Sequence, residues 1–312
     1  MGSAAQAEPV AARGRGKRSL APACRPIRGC LTFGRDTPAE GARPLPLPGL
    51  SSRLFSLGLR ALPQSTALRL RHRLSWRAGE PELRLVPALC DPRRLALDVG
   101  ANLGLYSAVM RRHARLCHAF EPNPDYAWVY RRVLGEVILH CVALSDKAGR
   151  EVFRIPLVDE VAYAGWGTLE PTPLFEGRET RDFEVELARL DDLGLDPVGL
   201  IKIDVEGHEL AVLRGGRQTI RRDRPAILLE SEERHRPGVL EELFAWMAEA
   251  GYQGFVLRGG KLTPLAEFDP ARDQAVAADG SFGGRILSAD YLRNFLFLAA
   301  PEQAARLGIA LV

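Results

Sequence analysis

The residues with chemistry to offer fall at three strand-like ends. In LALDVGANLGLYS, Leu95 to Ser107, an apolar run ends on an acid and breaks into a glycine-rich turn. In AFEPNP, Ala119 to Pro124, a shorter apolar run ends on Glu121 between breakers. In LIKIDVEGHE, Leu200 to Glu209, an apolar run opens into Asp204, Glu206, His208 and Glu209. A glycine turn followed by an acid at the end of the next strand is how an open α/β sheet holds a nucleoside. The third group of acids then stands beside that ligand.

DVGANLG places Asp98, Gly100, Asn102 and Gly104 in one turn. Glycines there let the backbone approach a ligand through angles closed to other residues. The helix that follows offers its free N–H groups to the same space. This is not the GxGxxG turn that receives a pyrophosphate. An acid precedes the turn and Asn102 replaces the middle glycine. A carboxylate there repels a pyrophosphate and attracts an ammonium, which S-adenosylmethionine carries. The plain alternative is a glycine turn capped by Asp98. Glu121, at the end of the next strand, is the acid expected to accept from both ribose hydroxyls. Asn123 is expected to cap the helix beyond it and is counted with the cofactor-binding residues, and Ser145 in VALS either edges the adenine or belongs to a plain loop.

At IDVEGHE, helix capping accounts for one or two of the acids. It does not account for Asp204, because an unpaired carboxylate at the end of an apolar strand is costly. Asp204, Glu206, His208 and Glu209 are therefore the candidate catalytic groups, and His208 has the ordinary pKa of a general base. Glu230 ends the next apolar run, AILLE. If the two strands pair, Asp204 and Glu230 come together, as a site for a divalent metal or as part of a salt bridge.

The elements that must position these groups are strands alternating with helices. Strands are predicted at 95–99, 116–120, 137–141, 200–203, 226–229, 254–257 and 294–299. Helices are predicted at 81–90, 103–113, 124–134, 209–222 and 239–251. That alternation implies an α/β fold with a mostly parallel sheet covered by helices on both faces. Alternation stops over 145–190, read as a β-rich insert with a hairpin turning at Lys147–Gly149 and further strands in GWGTLE and FEVELARL. In it, Tyr163, Trp166 and Phe175 offer a sugar-stacking wall or the insert's own small core. Residues 1–50, rich in Ala, Gly, Pro and Arg, read as disordered. Residues 51–79 read as a basic extension in which Leu68 to Arg77 forms a strand or an amphipathic helix. Residues 80–300 are the main domain and 301–312 a tail.

Composition narrows the function. The net charge is +3, but residues 1–90 carry net +10 and the remainder net −7. An acidic core does not grip duplex nucleic acid through its phosphates. Five cysteines without a CxxC pair fit a reducing, cytoplasmic setting better than a disulfide framework. No apolar run is long enough to span a membrane.

DVGANLGLYS, AFEP, VALSD, GWGTLE, ARLDDL, IKIDVEGHELAVLRGG, PAILLE and NFLF, in that order, resemble the FkbM family of S-adenosylmethionine-dependent methyltransferases. The likeness spans about residues 80–300. It implies a Rossmann-like class I methyltransferase fold with a seven-stranded sheet, and methyl transfer to a hydroxyl of a sugar, glycan or natural product. Carried over by position, Asp98, Gly100, Asn102, Gly104 and Glu121 bind the cofactor, and Asp204, Glu206 and Glu209 line the catalytic floor. Three alternatives remain at this stage. They are a cofactor-binding module without catalysis, an NAD-dependent oxidoreductase and a nucleic-acid methyltransferase that uses the basic N-terminus. The first has no need of the acid cluster. The second lacks the third glycine and a Tyr/Lys pair, and the third lacks an NPPY-like motif.

Overall fold

Apolar runs become strands almost where they are predicted. The first three are β1 (Leu95–Val99), β2 (Leu116–Phe120) and β3 (Ile138–His140). The insert contributes β4 (Ala143–Leu144), β5 (Gly149–Val158), β6 (Val161–Ala162) and β7 (Thr180–Ala188). The chain then returns to the main sheet with β8 (Val198–Ile203), β9 (Ala226–Glu230), β10 (Gln253–Arg258), β11 (Lys261–Pro264) and β12 (Asn294–Leu298). The structure is a computed structural model that describes residues 62–158, 161–162, 164–172, 175–275 and 291–309. The expected disorder of residues 1–50 and the side chain of Tyr163 lie outside the described residues, as do residues 51–61 of the extension and 310–312 of the tail.

The main sheet runs β11-β10-β12-β9-β8-β1-β2-β3. Neighbours from β3 to β9 are parallel, whereas β12 lies antiparallel to both β9 and β10. Every residue of β1, β8, β9 and β12 is buried. Strands covered on both faces read as continuous apolar runs rather than alternating ones. Two apolar layers cover the faces, one containing Leu97, Ile203, Leu229 and Phe295, the other Ala96, Leu200, Leu228 and Leu296. Each such side chain contributes about 1.5–3 kcal/mol on leaving water.

Among the described residues the sheet has eight strands, one more than expected. The addition is β11, which turns back on β10 through Gly259 and Gly260, both at positive φ (56° and 80°). A two-residue Gly-Gly loop is a hairpin signal that was present in the sequence.

Three further expectations change. The turn at Lys147–Gly149 does not make a hairpin: β4 and β5 flank it but each pairs with β7, giving the order β4-β7-β5-β6. GWGTLE is not a strand. It supplies a 3-10 turn at Ala164–Trp166 and one isolated bridge, Arg154 to Thr168. The helix expected over 209–222 is two, Glu209–Gly215 and Arg217–Asp223. Its break follows Gly215, where a Cβ would lie 1.9 Å from the Ser145 carbonyl oxygen, so the first helix packs onto the start of the insert. The insert does hold its own small core of Ala143, Phe153, Ile155, Val185 and Leu187. The basic extension forms a helix, Gln64–Ala78. It is tied to the domain by buried Leu68, by His72 Nε2 on the Leu103 carbonyl (2.9 Å) and by Arg69 donating to the Arg132 carbonyl. Among the described residues no helix is long and apolar enough to cross a membrane.

Candidate active site

Strand order reverses between β1 and β8, and open α/β sheets bind ligands outside the carboxyl ends at such a point. Register does the rest. Val99 is level with Phe120 and Ile203, and Ile203 with Leu229. The residues just beyond, Gly100, Glu121, Asp204 and Glu230, therefore emerge along one edge. An open cavity lies there, lined on one side by Gly100, Asn102, Glu121 and Pro122 and on the other by Asp204, Glu206 and His208. Val142, Leu144, Phe153 and Leu169 add an apolar flank, partly from the insert.

Gly100 has φ +77°, and a Cβ there would lie 1.7 Å from the Asp204 carbonyl oxygen. The turn is pressed against β8, and only glycine fits. Gly104 (φ +72°) is equally confined, with Leu134 2.3 Å from where a Cβ would be, but it does not line the cavity. Asn102, at φ 47°, donates its N–H to Glu121 Oε2 (2.7 Å), and Asn123 N–H donates to Glu121 Oε1 (2.8 Å). One buried carboxylate thus ties the two turns together and still faces the cavity. Burial pushes Glu121 up to about 7, against the pull of those two N–H bonds. Asn123 caps the next turn as expected, accepting from Asp125 N–H (3.0 Å), and stays out of the cavity.

Asp98 does not reach the cavity. Its Oδ2 accepts from the backbone N–H (2.7 Å) and the hydroxyl (2.6 Å) of buried Ser107. It holds the following helix to β1, which is the plain capping alternative rather than contact with an ammonium. Burial raises it to about 6.

The acid cluster divides in the same way. Glu209 is turned inward, accepting from Gly207 N–H (2.9 Å) and lying 3.4 Å from the Ser231 hydroxyl, and does not line the cavity. His208 lines it but has both ring nitrogens engaged, Nδ1 with Glu170 (2.6 Å) and Nε2 with the Ser145 hydroxyl (3.0 Å). The Glu170 carboxyl is held below its usual range by that histidine. Ser145 thus braces His208 instead of edging the cavity. Glu206 lines the cavity in a left-handed backbone conformation (φ 51°) and pairs with His235 Nε2 at 3.2 Å. Asp204 is the open one, with a third of its side chain exposed.

Asp204 and Glu230 do meet at adjacent strand ends, with a cation between them. Lys202 Nζ lies 3.8 Å from Asp204 Oδ2, 3.7 Å from Glu230 Oε2 and 3.2 Å from Asn294 Oδ1. It is 1% exposed and sits 5.1 Å from the Tyr106 ring centre. Arg293 bonds the other Glu230 oxygen (3.1 Å) and also Glu80 (3.2 Å), which accepts from the Tyr106 hydroxyl. An ammonium therefore holds the two carboxylates that were candidate metal ligands. Among the described residues no group of three or more His, Cys, Asp or Glu is arranged to hold a metal. Burial pushes the Asp204 and Glu230 carboxyls above their usual range, against the pull of Lys202 and Arg293.

Lys202, Arg293, Glu80, Tyr106, Glu170 and His235 were not singled out from sequence. Lys202 carried a signal: a lone charge inside the apolar run LIKI, and one of only four lysines among 42 basic residues. The others carried none, because their partners are distant in the chain.

The chain is similar to several known proteins. The Methyltransferase FkbM domain family matches residues 98–253. The 31-O-demethyl-FK506 methyltransferase FkbM of Streptomyces tacrolimicus is 31% identical over 213 residues, covering 57% of this chain and 76% of that protein. Methyltransferase sdnD of Sordaria araneosa is 35% identical over 158 residues, covering 38% of this chain and 59% of that protein's length. The crystal structure of Methyltransferase FkbM from Methylobacillus flagellatus aligns over 78% of this chain and 57% of that one, with a TM-score of 0.42 and 16% identity. The cavity suits the cofactor of such proteins, with an apolar flank for an adenine, a buried acid for a ribose and a tight glycine turn for the methionine end. The chain belongs to the FkbM family of S-adenosylmethionine-dependent methyltransferases.

Proposed function

We propose that this protein transfers a methyl group from S-adenosylmethionine to a hydroxyl of a small molecule, sugar or glycan. The observation that carries the reading is one cavity in which a glycine turn and buried Glu121 face Asp204 and Glu206. Support for oxygen as the acceptor atom comes from the relative whose name places its reaction at a 31-O position.

Each residue's part follows from its surroundings. Glu121 accepts from the ribose hydroxyls with the lone pairs its two N–H bonds leave free. Gly100 and Asn102 bring backbone close to the methionine end. S-adenosylmethionine supplies an activated methyl on a sulfonium, the carbon–sulfur electron pair staying with sulfur. An alcohol also needs a base as its oxygen gains the methyl. Asp204 is that base. It is the most open acid of the cavity, and burial raises its carboxyl toward the range in which a general base works best. Lys202 is a positioning residue that holds Asp204 on the cavity floor. His208, with both nitrogens bonded, braces the insert against the helix start.

Calorimetric titration of the full chain with S-adenosylhomocysteine, run beside NAD, tests the reading. Micromolar binding of the first and none of the second is expected, followed by methyl transfer from labelled cofactor to hydroxyl acceptors that Asp204→Asn abolishes. Binding of NAD, or of neither, overturns it.

A further inference from the structure

Glu80 stands where the basic extension joins the main domain, outside residues 98–253 over which the family matches. The helix Gln64–Ala78 ends in a tight turn. Gly79 N–H donates to the Ser75 carbonyl (2.8 Å), and a Cβ at Gly79 would lie 2.5 Å from that oxygen. A 3-10 turn, Pro81–Leu85, begins at once, with Leu83 N–H on the Glu80 carbonyl (3.2 Å). The backbone of Glu80 is thus held from both sides. A polar residue at such a start ordinarily caps it, but the Glu80 side chain makes no capping bond.

That side chain is used elsewhere. Its Oε2 accepts from the Tyr106 hydroxyl (2.7 Å) and its Oε1 from Arg293 (3.2 Å). Both partners touch the charges on the cavity floor. The Tyr106 ring lies over Lys202 Nζ, and Arg293 Nε bonds Glu230. Each oxygen of Glu80 therefore ends one arm of the network that contains Asp204. Charges face Asp204 from every side: Lys202 and Glu206 along its own chain, Glu121 from the end of β2, Glu230 from β9 and Arg293 just before β12. Without Glu80, the cations Lys202 and Arg293 match the anions Asp204 and Glu230. Glu80 adds a further negative charge, and like charges favour a proton among them. A base that must take a proton from an alcohol needs that bias.

We infer that Glu80 is a positioning residue of the active site: it holds Arg293 and Tyr106 in place and sets the charge balance in which Asp204 works. The extension thereby takes part in the reaction, and this last step rests on the methyl-transfer reading. The test uses Lys202 as its probe. It is one of four lysines, so NMR of the full chain labelled with carbon-13 and nitrogen-15 at lysine gives few side-chain signals, and Lys202→Met identifies the one in the network. Against burial, Asp204 and Glu230 hold this ammonium above its usual range. It therefore stays charged through neutral pH, and its signal moves as the neighbouring carboxyls titrate. Glu80→Gln lowers the midpoint of that movement by about half a pH unit or more, because a negative charge is lost. Arg293→Met, an independent variant, raises it. Arg69→Ala removes a tie of the same helix outside the network and leaves the midpoint in place. The inference is overturned if Glu80→Gln or Arg293→Met leaves the midpoint unchanged, or if Arg69→Ala shifts it as far as Glu80→Gln does. The midpoints are read without cofactor, so a chain that does not bind S-adenosylhomocysteine overturns methyl transfer separately from the placement of Glu80.

Discussion

The two walls of the cavity are built by different means. The β1–β2 wall is mostly backbone: two turns joined by Glu121, with Asp98 and Ser107 anchoring the helix behind. Its parts span residues 98–123, close together in the chain. The β8–β9 wall is a network of charges whose members, Glu80, Lys202, Asp204, Glu230 and Arg293, come from across the chain. A wall made of backbone is broken by anything that fills its space. A wall made of charges is broken by removing one member and leaving the others unmatched.

The largest effect should come from filling the first wall. Gly100→Ala puts a Cβ into the Asp204 carbonyl at a positive φ. S-adenosylhomocysteine binding should vanish in calorimetry, and parent-like affinity would show that the turn yields where its packing says it cannot. Next is Lys202→Met, which strands buried Glu230 and partly buried Asp204 and should cost about 3–5 kcal/mol in urea unfolding. Adding Glu230→Gln should recover part of that loss, and strictly additive losses would break the picture of a coupled network.

Asp98→Asn and Glu121→Ala sharpen the contrast within the first wall. Asp98→Asn should cost about 1–3 kcal/mol of stability through the Ser107 bonds, with cofactor affinity falling less. Glu121→Ala should weaken S-adenosylhomocysteine about 10–100-fold with a smaller change in unfolding. If the two variants show the reverse pattern, Asp98 touches the ligand after all.

The last effect is confined to acid pH and concerns the edge of the first wall. His118 Nδ1 and His140 Nε2 are 2.9 Å apart, and the His140 ring stacks on Phe120, which lines the cavity. Burial lowers both to about 4 from 6.5. Between those values the unfolded chain binds more protons than the folded one. The stability contributed by neutral rings is therefore complete above pH 6.5 and is lost as pH falls toward 4, by up to about 1.4 kcal/mol per pH unit for each ring. Urea unfolding at a series of pH values should show this slope, and His140→Phe should reduce it. An unchanged slope would assign acid sensitivity to the other wall.

The sequence by itself determined the core strands, the order of elements up to the insert, and the backbone form of the DVGAN and EPN turns. These rest on apolar runs, glycines and caps that act over a few residues, so their signals are local. It did not reveal that Glu209 turns inward, that Asp98 serves Ser107, or that an ammonium lies between Asp204 and Glu230. A carboxylate in a motif looks the same whichever way it faces. Only strand pairing brought Lys202 level with Leu228 and set Asn294 beside Glu230, and only the packing of the insert set Glu170 on His208. Those contacts join residues tens to hundreds of positions apart. Their energies depend on burial and on partners that exist only once the sheet has closed, and so the tertiary structure decided them.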